Sequence, residues 1–264
     1  MTSDARSDFE AALRTEPRTA LIACDFDGTL APIVADPAEA RAYPGAVDAL
    51  VSLAEHGCPV RVITGRPATR AVQFGELDRV PGIVVAGMYG AQRWSGGAVT
   101  SDPAAPGIDH ARRLLDLVLA GAAVGVRLED KGLSVAVHTR QAADPKGELD
   151  RLRPAVEGIA TATGLQVEPG RFVLELRPGG VDKGTALSAA ADEVGARAVL
   201  FAGDDLGDLA AFAAVQRMVK RGVIGLTVAA GSAEVPEIEA AADLTVPGPA
   251  GVTQLLAELA RLLD

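Results

Sequence analysis

Short apolar runs alternate with helical patterns at both ends of this 264-residue chain, and the alternation breaks once in the middle. Leu21-Ile22-Ala23-Cys24, Pro59 to Ile63 and Ile83-Val84-Val85 read as buried strands, with Val47 to Glu55 and Arg66 to Phe74 as helices between them. Arg93 to Thr100, centred on Gly96-Gly97, reads as a hairpin. The pattern resumes with a helix at Lys183 to Val194 and a strand at Ala198 to Ala202. A helix follows at Asp208 to Val215, then strands at Val223 to Val228 and Leu244 to Val246, and helices at Glu234 to Ala242 and Gly251 to Leu263. Such alternation predicts an α/β fold, a parallel sheet covered by helices on both faces.

The middle block has a different order. Asp102 to Gly107 is rich in proline and glycine and reads as a linker. A helix (His110 to Ala120), two strands (Val124 to Asp130, Leu133 to His138), a second helix (Pro145 to Thr163) and two more strands (Leu165 to Glu168, Phe172 to Arg177) follow. Pro178-Gly179-Gly180 closes the block. This order predicts a small α+β domain, residues 106–178, inserted into one core made of residues 1–105 and 179–264.

Composition removes several function classes. A net charge of -10 and 3% aromatic residues argue against a nucleic-acid interface, which needs a basic face and stacking platforms. Met1 to Thr19 is charged and lacks the apolar core of a signal peptide, and no apolar run reaches the roughly 18 residues of a membrane span. Cys24 and Cys58 do not make a disulfide framework and read as buried thiols. A cytoplasmic location is the expectation, with no nucleic-acid or membrane partner and a monomer as the default.

Four segments carry chemistry. Asp25-Phe26-Asp27-Gly28-Thr29-Leu30 directly follows the first strand. Ligands of open α/β sheets bind beyond the carboxyl ends of strands. Two carboxylates there repel each other unless a cation offsets them, and Mg²⁺ favours a few carboxylates with waters and phosphate oxygens. Thr64-Gly65-Arg66-Pro67 joins a strand to a helix, where backbone amides and a hydroxyl can hold phosphate; a plain N-cap explains the same residues. Lys183, in Val181-Asp182-Lys183-Gly184, opens a helix, where the dipole disfavours a cation unless an anion faces it. Gly203-Asp204-Asp205-Leu206-Gly207-Asp208 again ends a strand in carboxylates.

One mechanism accommodates all four. Asp25 would attack phosphorus and form an aspartyl-phosphate, and Asp27 would serve as general acid and then base. Asp25, the Asp27 backbone carbonyl and Asp204 would hold Mg²⁺. Thr64, Gly65, Arg66 and Lys183 would bind the phosphoryl oxygens and offset charge in the transition state. Asp205 and Asp208 would support metal and lysine from behind.

In this order the four segments resemble the haloacid dehalogenase superfamily of phosphatases. The resemblance implies a Rossmann-like core, with the inserted block as a cap that sets substrate specificity. Finer stretches are similar to the trehalose-6-phosphate phosphatase family: Asp25 to Ile33, Leu128 to Arg140, and Leu174-Glu175-Leu176-Arg177-Pro178. That resemblance implies a sugar-phosphate substrate, trehalose 6-phosphate, with Glu129, Lys131 and Glu175 gripping sugar hydroxyls. Read as bare residues, Glu129 and Lys131 also fit an exposed hairpin pair, and Glu175 also fits a solvent-facing strand position. His138 could reach substrate or serve structure.

The chain departs from the family pattern in three places. Gly207 and Leu209 replace the family's threonine and glutamate in the fourth segment, and Gln92 replaces a glutamate in Gly87-Met88-Tyr89-Gly90-Ala91-Gln92. Thr64 stands where serine is common, which keeps the hydroxyl. Other readings are a phosphatase for another phosphorylated sugar, such as sucrose phosphate or a mannosylglycerate-type phosphate, and a phosphosugar mutase.

Overall fold

The computed structural model describes residues 5–34, 36–170, 172–231 and 236–264. In chain order the first elements are α1 (Ala5–Thr15), β1 (Ala20–Cys24), α2 (Ala46–Glu55), β2 (Val60–Ile63), α3 (Ala68–Gly75), β3 (Val84–Gly87), β4 (Gln92–Ser95) and β5 (Ala98–Ser101). Then come α4 (Pro106–Leu119), β6 (Arg127–Asp130), β7 (Val135–His138), α5 (Pro145–Thr163), β8 (Leu165–Gly170) and β9 (Val173–Pro178). The last are α6 (Lys183–Val194), β10 (Ala198–Gly203), α7 (Leu209–Val219), β11 (Ile224–Gly231), α8 (Pro236–Ala241), β12 (Leu244–Pro247) and α9 (Gly248–Arg261). The expected helix at Glu234 to Ala242 falls partly outside the described residues.

The chain divides into two compact units, Met1–Ser101 with Asp182–Asp264, and Asp102–Val181. In the first, the described strands form one sheet in the order β12-β11-β10-β1-β2-β3-β4-β5. Neighbours from β12 to β3 run parallel, and the β4–β5 hairpin is antiparallel. The sheet grows one way from β1 through β2 and β3, then resumes on the other side of β1 with β10. β1 is therefore the topological switch point, where open α/β sheets leave a crevice at the strand ends.

Every residue of β1 is buried, which is why it reads as an unbroken apolar run. Its side chains still alternate. Ala20, Ile22 and Cys24 join a core with Leu50 and Leu53 of α2 and Leu255 and Leu256 of α9. Leu21 and Ala23 join a second core with Leu187 of α6 and Phe212 of α7. The expected two-sided covering of a parallel sheet is present. α1, with Phe9 and Leu13 fully buried in the first of these cores, went unforeseen because its apolar residues are few.

The second unit carries a four-stranded antiparallel sheet, β6-β7-β9-β8. Val135, Val137, Leu174 and Leu176 pack with Ile108 and Leu115 of α4 and Leu152 and Val156 of α5. The intervening positions form a polar face. Pairing sets Glu129 opposite Ala136, Ala136 opposite Glu175, and Glu175 opposite Glu168.

Candidate active site

Three adjacent strands deliver their carboxyl ends to one place. Cys24 pairs with Ala202 of β10 and with Val62 of β2. The next residue along each strand line is thus Asp25, Gly203-Asp204 and Ile63-Thr64. Asp25 stays in the ladder through its N–H, which donates to the Ala202 carbonyl at 2.9 Å. Asp25, Thr64 and Asp204 are all buried.

Lys183 enters from the first turn of α6. Asp182 caps that helix by accepting from the Thr185 N–H at 2.7 Å, so the lysine is fixed as its first residue. Its Nζ lies 3.1 Å from Asp25 Oδ2 and 2.7 Å from Asp208 Oδ1. Burial alone would lower the ammonium's affinity for its proton; Asp208 and Asp25 outweigh burial and hold it charged, well above the ordinary lysine range. A lysine at a helix start, unfavourable for the dipole, is explained by these anions.

Glycines let carboxylates come close. Gly28 has φ +77°, and a Cβ there would fall 1.9 Å from Asp204 Oδ2. At Gly203 a Cβ would fall 2.3 Å from the Asp208 carboxyl carbon. Asp208 is fully buried, with Oδ2 accepting from the N–H groups of Asp204 and Asp205 at 3.0 and 3.1 Å and Oδ1 accepting from Lys183. It braces the Asp204-Asp205 turn and the lysine together. Asp205 itself is largely exposed, with Oδ1 3.8 Å from Nζ.

A ligand oxygen from each of Asp25, Asp204 and Asp208 lies within 4.8 Å of the others. Desolvation, followed by the neighbouring carboxylates, pushes Asp204 up to about 8, and desolvation pushes Asp25 well above its usual range despite Lys183. One ammonium does not offset this charge. An all-oxygen donor set fits a hard divalent cation, which would hold these carboxylates ionised. Asp25 and Asp204 have oxygens available for such an ion, whereas both Asp208 oxygens already accept hydrogen bonds. Thr29, unforeseen in the sequence, is fully buried and donates from Oγ1 to Asp204 Oδ1 at 3.2 Å.

Asp27 and Arg66, both expected at the site, hold each other. The Asp27 carboxylate is held by Arg66: Nε donates to Oδ2 at 2.5 Å and Nη2 to Oδ1 at 2.6 Å. Arg66 also donates to the Pro37 carbonyl at 2.7 Å and stacks near Phe26 and Phe74. Thr64 accepts the Arg66 N–H on its Oγ1 at 3.1 Å, which leaves its hydroxyl hydrogen for another acceptor. The loop Met88-Tyr89, both residues at positive φ, pins this turn: the Tyr89 N–H donates to the Thr64 carbonyl, and its side chain sits where a Gly65 Cβ would be. Gln92 accepts the Ala68 N–H at 3.0 Å, capping α3 with an amide oxygen where the family pattern has a carboxylate.

In the second unit Glu175 is buried, not solvent-facing. Its carboxylate accepts from Lys131 Nζ at 2.7 Å and from the Ser134 hydroxyl. Glu129 pairs with His138 at 2.8 Å on the same polar face. Ser134 carried no sequence signal, since its role depends on the strand register that brings it to Glu175.

The model of the trehalose-phosphatase family matches residues 23–249, nearly the whole chain. The chain belongs to the trehalose-phosphatase family. A trehalose-phosphate phosphatase of Mycobacterium leprae is 33% identical over 255 residues, covering 91% of this chain and 57% of that protein. The crystal structure of a trehalose-6-phosphate phosphatase related protein is 27% identical, covers 92% of this chain and 98% of its own, and superposes with a TM-score of 0.72. The C-terminal domain of the Candida albicans trehalose-6-phosphate phosphatase, 20% identical, shares the fold with a TM-score of 0.78. This chain spans little more than half the length of the M. leprae protein. Membership of the trehalose-phosphatase family, and with it of the haloacid dehalogenase type, implies a divalent metal. Among the described residues no helix is long and apolar enough to cross a membrane.

Proposed function

We propose that this protein hydrolyses trehalose 6-phosphate to trehalose and phosphate, with Asp25 as nucleophile. The observation that carries the reading is the buried Asp25 carboxylate at the switch point, 3.1 Å from the Lys183 ammonium and beside Asp204. An Asp25 oxygen attacks phosphorus, the bond from phosphorus to the sugar oxygen breaks, and Asp27 gives that oxygen its proton. Water then attacks the aspartyl-phosphate, Asp27 takes the water's proton, and phosphate leaves with Asp25 restored. Asp27 does so with one carboxylate oxygen while Arg66 keeps hold of the other and so sets its direction.

Lys183 and the Thr64 hydroxyl offset the charge on the equatorial oxygens, and the Thr64-Gly65-Arg66 turn supplies amides. Asp25, Asp204 and the Asp27 carbonyl would hold Mg²⁺, which when bound would neutralise phosphoryl charge and keep Asp25 ionised. Asp205 and Asp208 keep Lys183 and the Asp204 turn in place. Residues 106–178 act as the specificity domain, in which Glu129, Lys131 and Glu175 recognise sugar hydroxyls: carboxylates accept from vicinal hydroxyls, and an ammonium donates. The two cysteines are unpaired and buried, in keeping with a reducing compartment such as the cytoplasm.

A phosphate-release panel tests the substrate. With Mg²⁺, trehalose 6-phosphate should outpace sucrose 6-phosphate, a mannosylglycerate-type phosphate and glucose 6-phosphate, and chelation should stop the reaction. A preference for a monosaccharide phosphate, or a hexose 6-phosphate converted to its 1-phosphate without free phosphate, would sink this reading.

A further inference from the structure

Three guanidinium groups gather on one phenylalanine ring of the first unit. The guanidinium carbon of Arg41 lies 5.0 Å from the Phe74 centroid, that of Arg66 5.4 Å and that of Arg70 5.9 Å. Arg70 and Phe74 stand four residues apart on α3 and so share a helix face. Arg66 comes from the turn before α3. Arg41 follows the short 3-10 turn Pro37–Glu39.

Stacking accounts for one such contact more easily than for three. At exposed sites each such contact contributes only weakly. Against that, the three charges crowd within a distance comparable to one Debye length, about 8 Å at physiological ionic strength, and repel. Asp27 neutralises Arg66. Among the described residues, neither Arg41 nor Arg70 has a carboxylate partner within 4.0 Å. Arg41 is instead fixed by donating to the carbonyls of Ala38 and Ala40 at 3.0 and 2.7 Å. Both residues are exposed. Positive charge is thus held in position, facing water, without an internal counter-ion.

The remainder of the chain presents the opposite field. The chain's net charge is -10, and Asp25, Asp205 and Asp208 lie within 3.8 Å of the Lys183 ammonium, with Asp204 beside them. A phosphomonoester dianion approaching this protein is repelled except where positive charge is concentrated. Arg66 joins that concentration to the site, because the carboxylate it holds is only two residues from Asp25.

We propose that Arg41 and Arg70, arrayed on Phe74 beside Arg66, form a landing site for the phosphate of the incoming substrate, drawing the dianion toward the Arg66 turn before it reaches Asp25. The proposal rests on the phosphatase reading above. Its prediction is specific: the patch raises the rate of capture and leaves the chemical step alone.

Steady-state kinetics of the whole protein with Mg²⁺ and trehalose 6-phosphate test it, comparing wild type with Arg41→Gln, Arg70→Gln and the double variant. At an ionic strength of about 0.02 M the double variant should lose roughly three- to tenfold in kcat/KM, with the loss in KM, and the gap should close by about 0.5 M. Matching thermal melts exclude misfolding. A double variant with the wild-type kcat/KM and salt slope overturns the landing site, as does a loss confined to kcat. Should the wild type hydrolyse no phosphomonoester, the phosphatase reading fails separately. Calorimetric titration with inorganic phosphate then decides on the patch: weaker binding by the double variant supports it, and equal or absent binding in both proteins overturns it.

Discussion

Arg66 grips Asp27 in two parallel hydrogen bonds, Nε to Oδ2 at 2.5 Å and Nη2 to Oδ1 at 2.6 Å. The fork matches a carboxylate in a way an ammonium does not. It sets the direction of the carboxylate that, in the proposed mechanism, serves the leaving oxygen. Arg66→Ala should therefore lower kcat by about 10²-fold, the scale expected when a catalytic group loses its orientation. Arg66→Lys should recover little of that, since one point charge cannot hold both oxygens. Single-turnover rates of both variants check this, and an unchanged kcat in Arg66→Ala would count against it.

Among the described residues, Lys183 is the one cation paired with the buried carboxylates Asp25 and Asp208. Lys183→Met leaves two buried anions uncompensated. Metal-free protein carrying it should lose about 3–5 kcal/mol of stability, in addition to its activity. Urea unfolding at neutral pH in the presence of a chelator measures the loss. A change within the range of ordinary surface substitutions, about 0.5 kcal/mol, would show that Lys183 bears no such load.

Gly28 combines a left-handed φ with the Asp204 carboxylate lying where its Cβ would be. Gly28→Ala should therefore cost about 1–3 kcal/mol in backbone strain and displace Asp204. The diagnostic readout is the rise in melting temperature on adding Mg²⁺, which follows from binding to the native state. It should be present in the wild type and absent in the variant. An equal Mg²⁺-dependent shift in both proteins would remove Asp204 from the cation site.

Cys58 is buried, and desolvation pushes its thiol from 9.0 up to about 11. Cys24 lies wholly inside the sheet core. At pH 8 the native protein should react with neither equivalent of a thiol reagent, and both should react in guanidinium. The sign of the pH effect follows. Above 9.0 the unfolded Cys58 gives up its proton first, so its share of stability is complete below 9.0 and falls as pH rises toward about 11. Rapid labelling of the native protein at pH 8 would contradict the burial.

Much of the site was legible because the chemistry lies at strand ends, where sequence marks position. Asp25 follows an unbroken apolar strand, Asp204 follows β10, and Lys183 follows the N-cap of α6, so each could be located from local pattern alone. What escaped depended on long-range geometry. Thr29 meets Asp204 across 175 positions, and Ser134 meets Glu175 across 41. Arg66 reads locally as a phosphate ligand; its hold on Asp27 emerges only when β1 and β2 lie side by side. Glu175 sits between Leu174 and Leu176, which alternation turns to the opposite face, so sequence could not show that Lys131 and Ser134 close over it.

The nucleophile is the centre of the account, and Asp25→Asn tests it directly. Asparagine keeps the size and shape and removes the attacking oxygen anion. With Mg²⁺ and trehalose 6-phosphate the wild type should release phosphate, and the variant should fall by at least about 10³-fold while retaining its melting temperature. A variant that keeps wild-type turnover would contradict the assignment of Asp25.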